Sequence, residues 1–124
     1  MFRDSGIKGI ETLRSVLPDD LQNWYMWSNI AEMHYSSEIN EYGNDNKNLV
    51  LVLVEPKGKY KLRLQLYNVH GRVDFDTYNG FYSGMSIDDL SANGYEKENR
   101  FHLYSSEMDA KPDLYCESMQ IELL

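Results

Sequence analysis

The sequence predicts an α+β fold: an antiparallel β-sheet of five to seven strands with two short N-terminal helices packed on one face. Three observations carry that prediction. Leu49–Val54 is an unbroken run of Leu and Val, long enough for a strand and too short for an isolated helix. Tyr60, Leu62, Leu64 and Leu66 alternate with Lys59, Lys61, Arg63 and Gln65, a period of two that a half-buried strand satisfies. Between them, Glu55-Pro56-Lys57-Gly58 has turn chemistry. Pro56 presets φ, and Gly58 can take the φ > 0 needed to re-enter a strand. Asn48–Val69 is therefore a β-hairpin on which the rest is built.

The N-terminal segment is expected to be helical over residues 1–28. Ile7, Ile10, Leu13, Val16 and Leu17 are spaced by three and four, an amphipathic stripe, with Asp4 and Ser5 as capping candidates. Pro18 stops that helix. Pro18-Asp19-Asp20-Leu21 then looks like a second start, with both aspartates favoured at the positive end of the dipole. Leu21, Trp24, Tyr25 and Trp27 would form its inner face, the tryptophans packing on the sheet.

Residues 29–124 read as sheet within the same single domain. Ile30–Ile39 is a first strand, and Asn40–Asn48 is a polar loop. After the hairpin the alternation slips between Leu66 and Val69, which puts a bulge or strand end at Tyr67–Asn68. His70-Gly71 reads as a turn and Val73-Asp74-Phe75 as a short strand. Met85–Leu90 and Arg100–Ser105 are further strands, the second with Phe101 and Leu103 inward. Leu114–Leu123 changes phase between Cys116 and Met119, again implying a bulge. Short links force neighbouring strands antiparallel.

Composition bounds the function classes. The 124 residues are 42% hydrophobic and 13% aromatic, which suits one globular domain. No apolar run reaches the length of a membrane span, and the N-terminus lacks the apolar core of a signal peptide. A single cysteine, Cys116, excludes an internal disulfide framework and fits a reducing compartment, so a cytoplasmic location is expected. The net charge is −8. It is uneven: residues 1–70 carry nine acids and eight bases, residues 71–124 eleven acids and four bases. That argues against nucleic acid as a ligand, because phosphate binding needs clustered Lys and Arg. It permits a basic partner, although acidity also simply keeps a small domain soluble.

No catalytic motif is present. His34, His70 and His102 lack any HxH, HExxH or CxxC companion, and zinc needs three or four converging ligands. Asp74-x-Asp76 and Asp88-Asp89 could supply oxygen ligands, but without EF-hand spacing. Cys116 reads as a small core residue; a nucleophile pair with His102 is conceivable across neighbouring strands. No metal or cofactor is expected. The more suggestive stretch is Asp74–Tyr95, which places Asp74, Asp76, Tyr78, Phe81, Tyr82, Asp88, Asp89 and Tyr95 in loops and short strands. Aromatics in turns are poorly explained by core packing alone. Tyrosine offers contact area at low entropy cost, and flanking carboxylates steer a basic partner. The alternative is a satellite core under the loop.

Trp24–Trp27, His34–Ile39, Leu62–Val69 (LRLQLYNV), Gly84–Asp88 (GMSID), Phe101–Glu107 (FHLYSSE) and Tyr115–Ile121 (YCESMQI) run in order along nearly the whole chain. In that order they resemble the small acidic immunity proteins of bacterial polymorphic-toxin systems. Tyr35 stands where that pattern has an aspartate after the histidine, with Glu38 further on. The resemblance implies a non-enzymatic protein that binds and blocks a cognate toxin domain. The expected function is accordingly an immunity-type inhibitor whose acidic, Tyr-rich surface covers a basic toxin. Two other classes stay open: a ligand-binding or enzymatic domain with a pocket on the sheet face, and an acidic mimic of nucleic acid.

Overall fold

The computed structural model describes residues 6–27, 29–39, 41–43, 45–73, 85–91, 97–105 and 112–124. Its described residues form eight strands in two four-stranded antiparallel sheets and one α-helix. The expected five to seven strands in one sheet are thus eight in two.

The hairpin lies at the centre of the first sheet. β1 (Asn29–Ile39), β2 (Asp45–Val54) and β3 (Lys61–Tyr67) are neighbours in that order, and β8 (Ser118–Leu123) completes the sheet beside β3. Leu49, Leu51 and Leu53 stand opposite Leu66, Leu64 and Leu62, and all six are fully buried. The connecting turn is closed by Glu55. Its carbonyl accepts the Gly58 amide at 2.9 Å, and its carboxylate accepts the amides of Lys57 (2.9 Å) and Lys59 (2.5 Å). Gly58 takes φ 72°, as the turn requires. β2 begins at Asp45, inside the stretch expected to be loop. Asp45–Asn48 pairs with Ser36–Ile39, and backbone pairing makes no demand for apolar side chains.

The second sheet has the order β4 (His70–Arg72), β7 (Asp113–Cys116), β6 (Phe101–Ser105) and β5 (Met85–Asp89). β3 runs into β4 and β7 into β8, so two paired strands leave one sheet and enter the other together. The corner is Asn68 with Glu117. Asn68 has φ 55°, the Glu117 amide donates to the Tyr67 carbonyl at 3.0 Å, and Asn68 Nδ2 donates to Glu117 Oε1 at 3.3 Å. Both phase breaks seen in the sequence fall here, as turns of the sheet through a corner. His70-Gly71 is consequently strand, not turn, because the chain has already turned at Asn68. The remainder of the 73–75 strand expectation lies outside the described residues.

Inward residues of both sheets share one hydrophobic cluster with Ile7, Ile10, Leu13, Leu17, Leu21, Trp24 and Trp27. α1 (Ile10–Val16) starts later than its stripe suggests, because Lys8 is used as a β-bridge to Gln120. The Lys8 amide donates to the Met119 carbonyl at 3.1 Å, and the Ile121 amide to the Lys8 carbonyl at 2.8 Å. Gly9, at φ 95°, turns the chain from that bridge into the helix, whose Val16 is exposed.

The second expected helix is instead two 3₁₀ turns, Asp19–Leu21 and Trp24–Met26. Asn23 between them is extended (φ −143°), and its side-chain oxygen accepts the Tyr25 amide at 3.2 Å, which starts a new turn. Gln22 Nε2 donates to the carbonyls of Arg14 and Leu17, satisfying the end of α1 from outside. Trp24 and Trp27 are buried as expected, and the Trp27 indole N–H donates to the Leu21 carbonyl at 2.8 Å. Tyr25 is exposed, because a 3₁₀ turn aims it away from both tryptophans. α1 lies against β8 and the Trp24–Met26 turn against β5, so this segment touches both sheets. Among the described residues no helix is long and apolar enough to cross a membrane.

Candidate functional site

The outer face of the second sheet carries the most distinctive constellation. Strand alternation sends Met85, Ile87, Phe101, Leu103, Leu114 and Cys116 inward. The intervening residues face out. Register then aligns Asp88 with His102, His102 with Tyr115, and Tyr115 with His70, a row across all four strands. One step along, Ser86 aligns with Tyr104 and Tyr104 with Asp113.

The rings in these rows stack. His102 and Tyr115 are 4.4 Å apart between centroids with planes 8° apart, and His102 and Tyr104 are 4.5 Å apart at 20°. His70 lies 6.5 Å beyond Tyr115, nearly parallel. Carboxylates close the set diagonally: the Tyr104 hydroxyl donates to Asp88 Oδ2 at 2.9 Å, and His102 Nε2 meets Asp113 Oδ1 at 2.5 Å. At the far side His70 Nε2 is bonded to the Asn99 side-chain oxygen. Partial burial raises the Tyr104 hydroxyl above its ordinary pKa, and the bond to Asp88 adds to the rise. Tyr104 therefore stays a neutral donor near neutral pH. The result is a flat aromatic strip with an acid at each flank, and Asp88 and Asp113 are both exposed.

Asp88 and Asp89, adjacent on β5, do different work. Asp89 is turned to Arg100, whose Nε and Nη2 reach its two oxygens at 3.3 and 3.2 Å. Burial alone would raise the Asp89 carboxyl, but Arg100 and the Ser91 amide outweigh it and hold it low. Asp74, Asp76, Tyr78, Phe81, Tyr82 and Tyr95 lie outside the described residues.

The sequence reading missed His70, His102, Tyr104, Asp113 and Tyr115 as one group. Their outward parity was implied by the inward Phe101, Leu103 and Cys116. Their alignment needed the register of four strands, which no local pattern contains.

A Cys116–His102 nucleophile pair is ruled out by geometry. Cys116 faces the core opposite Phe101, and His102 is on the outer face. Burial pushes the Cys116 thiol up to about 12. Among the described residues no three His, Cys, Asp or Glu side chains converge as a metal site. Cavities also open among the described residues. One of about 210 Å³ lies among Pro18, Leu21, Met26 and the Glu55–Tyr60 turn. One of about 290 Å³ lies at the corner among Tyr35, Lys47, Asn68 and His70. Comparison with protein-family models, with curated proteins and with solved structures finds no match to this chain.

Proposed function

We propose that this protein is a non-enzymatic binding module, an immunity-type inhibitor that covers a basic surface of a toxin domain. The observation that carries the reading is the Tyr104–His102–Tyr115 stack held between Asp88 and Asp113. Such a strip suits Arg and Lys side chains. A guanidinium can lie flat on a ring while its N–H groups reach a flanking carboxylate. Stacked rings are already ordered, so little side-chain entropy is lost on docking. The negative charge of residues 71–124 adds long-range attraction, which raises association rate and specificity more than final affinity. Asp74, Asp76, Tyr78, Phe81, Tyr82 and Tyr95 remain contact candidates on charge and residue type.

The test is capture from the native host at low salt, with the tagged wild-type chain and an Asp88→Lys/Asp113→Lys variant as baits. The expected result is a stoichiometric basic partner held by wild type, released by salt, and lost from the variant while its melting temperature stays near wild type. No basic partner, or one retained equally by the variant, removes this reading.

A further inference from the structure

We propose that β1 is a dimerisation strand: two copies of this chain pair edge to edge, antiparallel, about a two-fold axis at Ser36. β1 is the end strand of the first sheet, eleven residues long. Among the described residues no strand pairs with its outer edge, so a row of backbone donors and acceptors faces outward there. Natural edges of that length are usually blunted by Lys, Pro or a covering element. NIAEMHYSSEI contains no Lys, Arg or Pro, and its one register shift, between Ile30 and Glu32, leaves Glu32–Ile39 as a regular edge. The other end of the same sheet is treated differently, since β8 is bridged by Lys8.

The side chains add a second observation. Met33, Tyr35 and Ile39 stand opposite Leu51, Leu49 and Asp45, on the sheet face that carries Leu49 and Leu51 into the core. They continue that apolar face past its cover, at 48%, 49% and 76% exposure. On the reverse face are Glu32, His34, Ser36 and Glu38.

Register identifies the occupant. A two-fold axis perpendicular to the sheet must pair residues of equal parity, so it passes through one residue. Through Ser36, Met33 meets the partner's Ile39, Tyr35 meets the partner's Ser37, and His34 meets the partner's Glu38. That register joins apolar to apolar on one face and imidazole to carboxylate on the other, within the regular stretch Glu32–Ile39. An axis through Met33 would also set Glu32 against the partner's His34, but it runs the pairing into the bulge between Ile30 and Glu32. An axis through Tyr35 would instead set Glu32 against the partner's Glu38, like charges directly opposed. Over its bulge-free length β1 is complementary to itself in this register alone. The product is a continuous eight-stranded sheet from two four-stranded ones.

Sedimentation velocity on the intact chain tests this directly, with three variants. Wild type should run at twice the monomer mass, and Met33→Lys/Ile39→Lys at the monomer mass with an unchanged circular dichroism spectrum. In an antiparallel pair, residues facing each other have Cα atoms about 4.5–5.5 Å apart, within disulfide reach. Ser36→Cys should therefore link two chains under mild oxidation. Ser37→Cys should not, because its own copy sits about 8 Å away, one step along the ladder. A wild-type monomer at the highest soluble concentration overturns the proposal. So does a dimer that survives the double Lys variant, or one that Ser36→Cys fails to link.

Discussion

The imidazole of His102 lies face to face with the phenol of Tyr115, 4.4 Å away and within 8° of parallel, on strands joined by the β6–β7 ladder. The stack presents one flat surface built from two strands, and its use as a docking strip gives the first prediction. Tyr115→Ala should weaken partner binding at least about tenfold, the scale of a central aromatic contact. Tyr115→Phe keeps the ring and should bind within a few-fold of wild type. Tyr25→Ala removes an exposed tyrosine on the Trp24–Met26 turn and should change nothing. Dissociation rates by surface plasmon resonance against the captured partner distinguish these outcomes.

Gly9 is the hinge between the Lys8 bridge and α1. Its φ of 95° disfavours any L side chain, and a Cβ there would overlap the Ile121 backbone oxygen. Because Lys8 and Ile121 are hydrogen-bonded through their backbones, neither can move without breaking the bridge. Gly9→Ala should cost about 2 kcal/mol or more, lowering the melting temperature by roughly 6–10 °C. A shift smaller than about 2 °C would show that the segment relaxes freely.

Glu55 couples the central hairpin to pH. The Lys57 amide holds its carboxyl below the ordinary glutamate value, against the opposing effect of burial and with help from the Lys59 and Tyr60 amides. A depressed folded-state pKa means the carboxylate stabilises the fold fully above the unfolded-state value. That stabilisation is lost as pH falls through the lower folded-state value. Glu55→Gln cannot ionise. Its urea midpoint should lie below wild type at neutral pH, and the gap should close on acidification. A gap independent of pH would mean that the loss does not come from the charge, and no gap at neutral pH would mean that hydrogen bonding without charge suffices.

Cys116 is fully buried, with its thiol pushed up to about 12. Thiolate is the reactive form, and so little of it exists near neutral pH that labelling must await local opening. A chromogenic disulfide reagent should modify native protein at least on the order of a thousandfold more slowly than urea-unfolded protein. Rapid native labelling would place the thiol in a reachable pocket and revive a ligand-binding reading of the inner face.

The sequence by itself determined most of the strands, though neither the start of β2 nor β4, and which side chains of the alternating ones go inward. Leu62–Leu66, Phe101–Leu103 and Met119–Leu123 each carry that information locally, because burial of one sheet face demands a period of two; the unbroken run Leu49–Val54 marks a strand without marking its inward face. It also located both phase breaks, at Tyr67–Asn68 and between Cys116 and Met119. Tertiary structure alone decided that these breaks form one corner. Asn68 and Glu117 are far apart in the chain, and only the β3–β8 register brings them together. The same limit explains the outer strip. Asp88, His102, Tyr115 and His70 sit on four strands, and each residue alone reads as an ordinary solvent-facing polar position. Their row exists only after long-range pairing sets three independent registers, which local propensity does not encode.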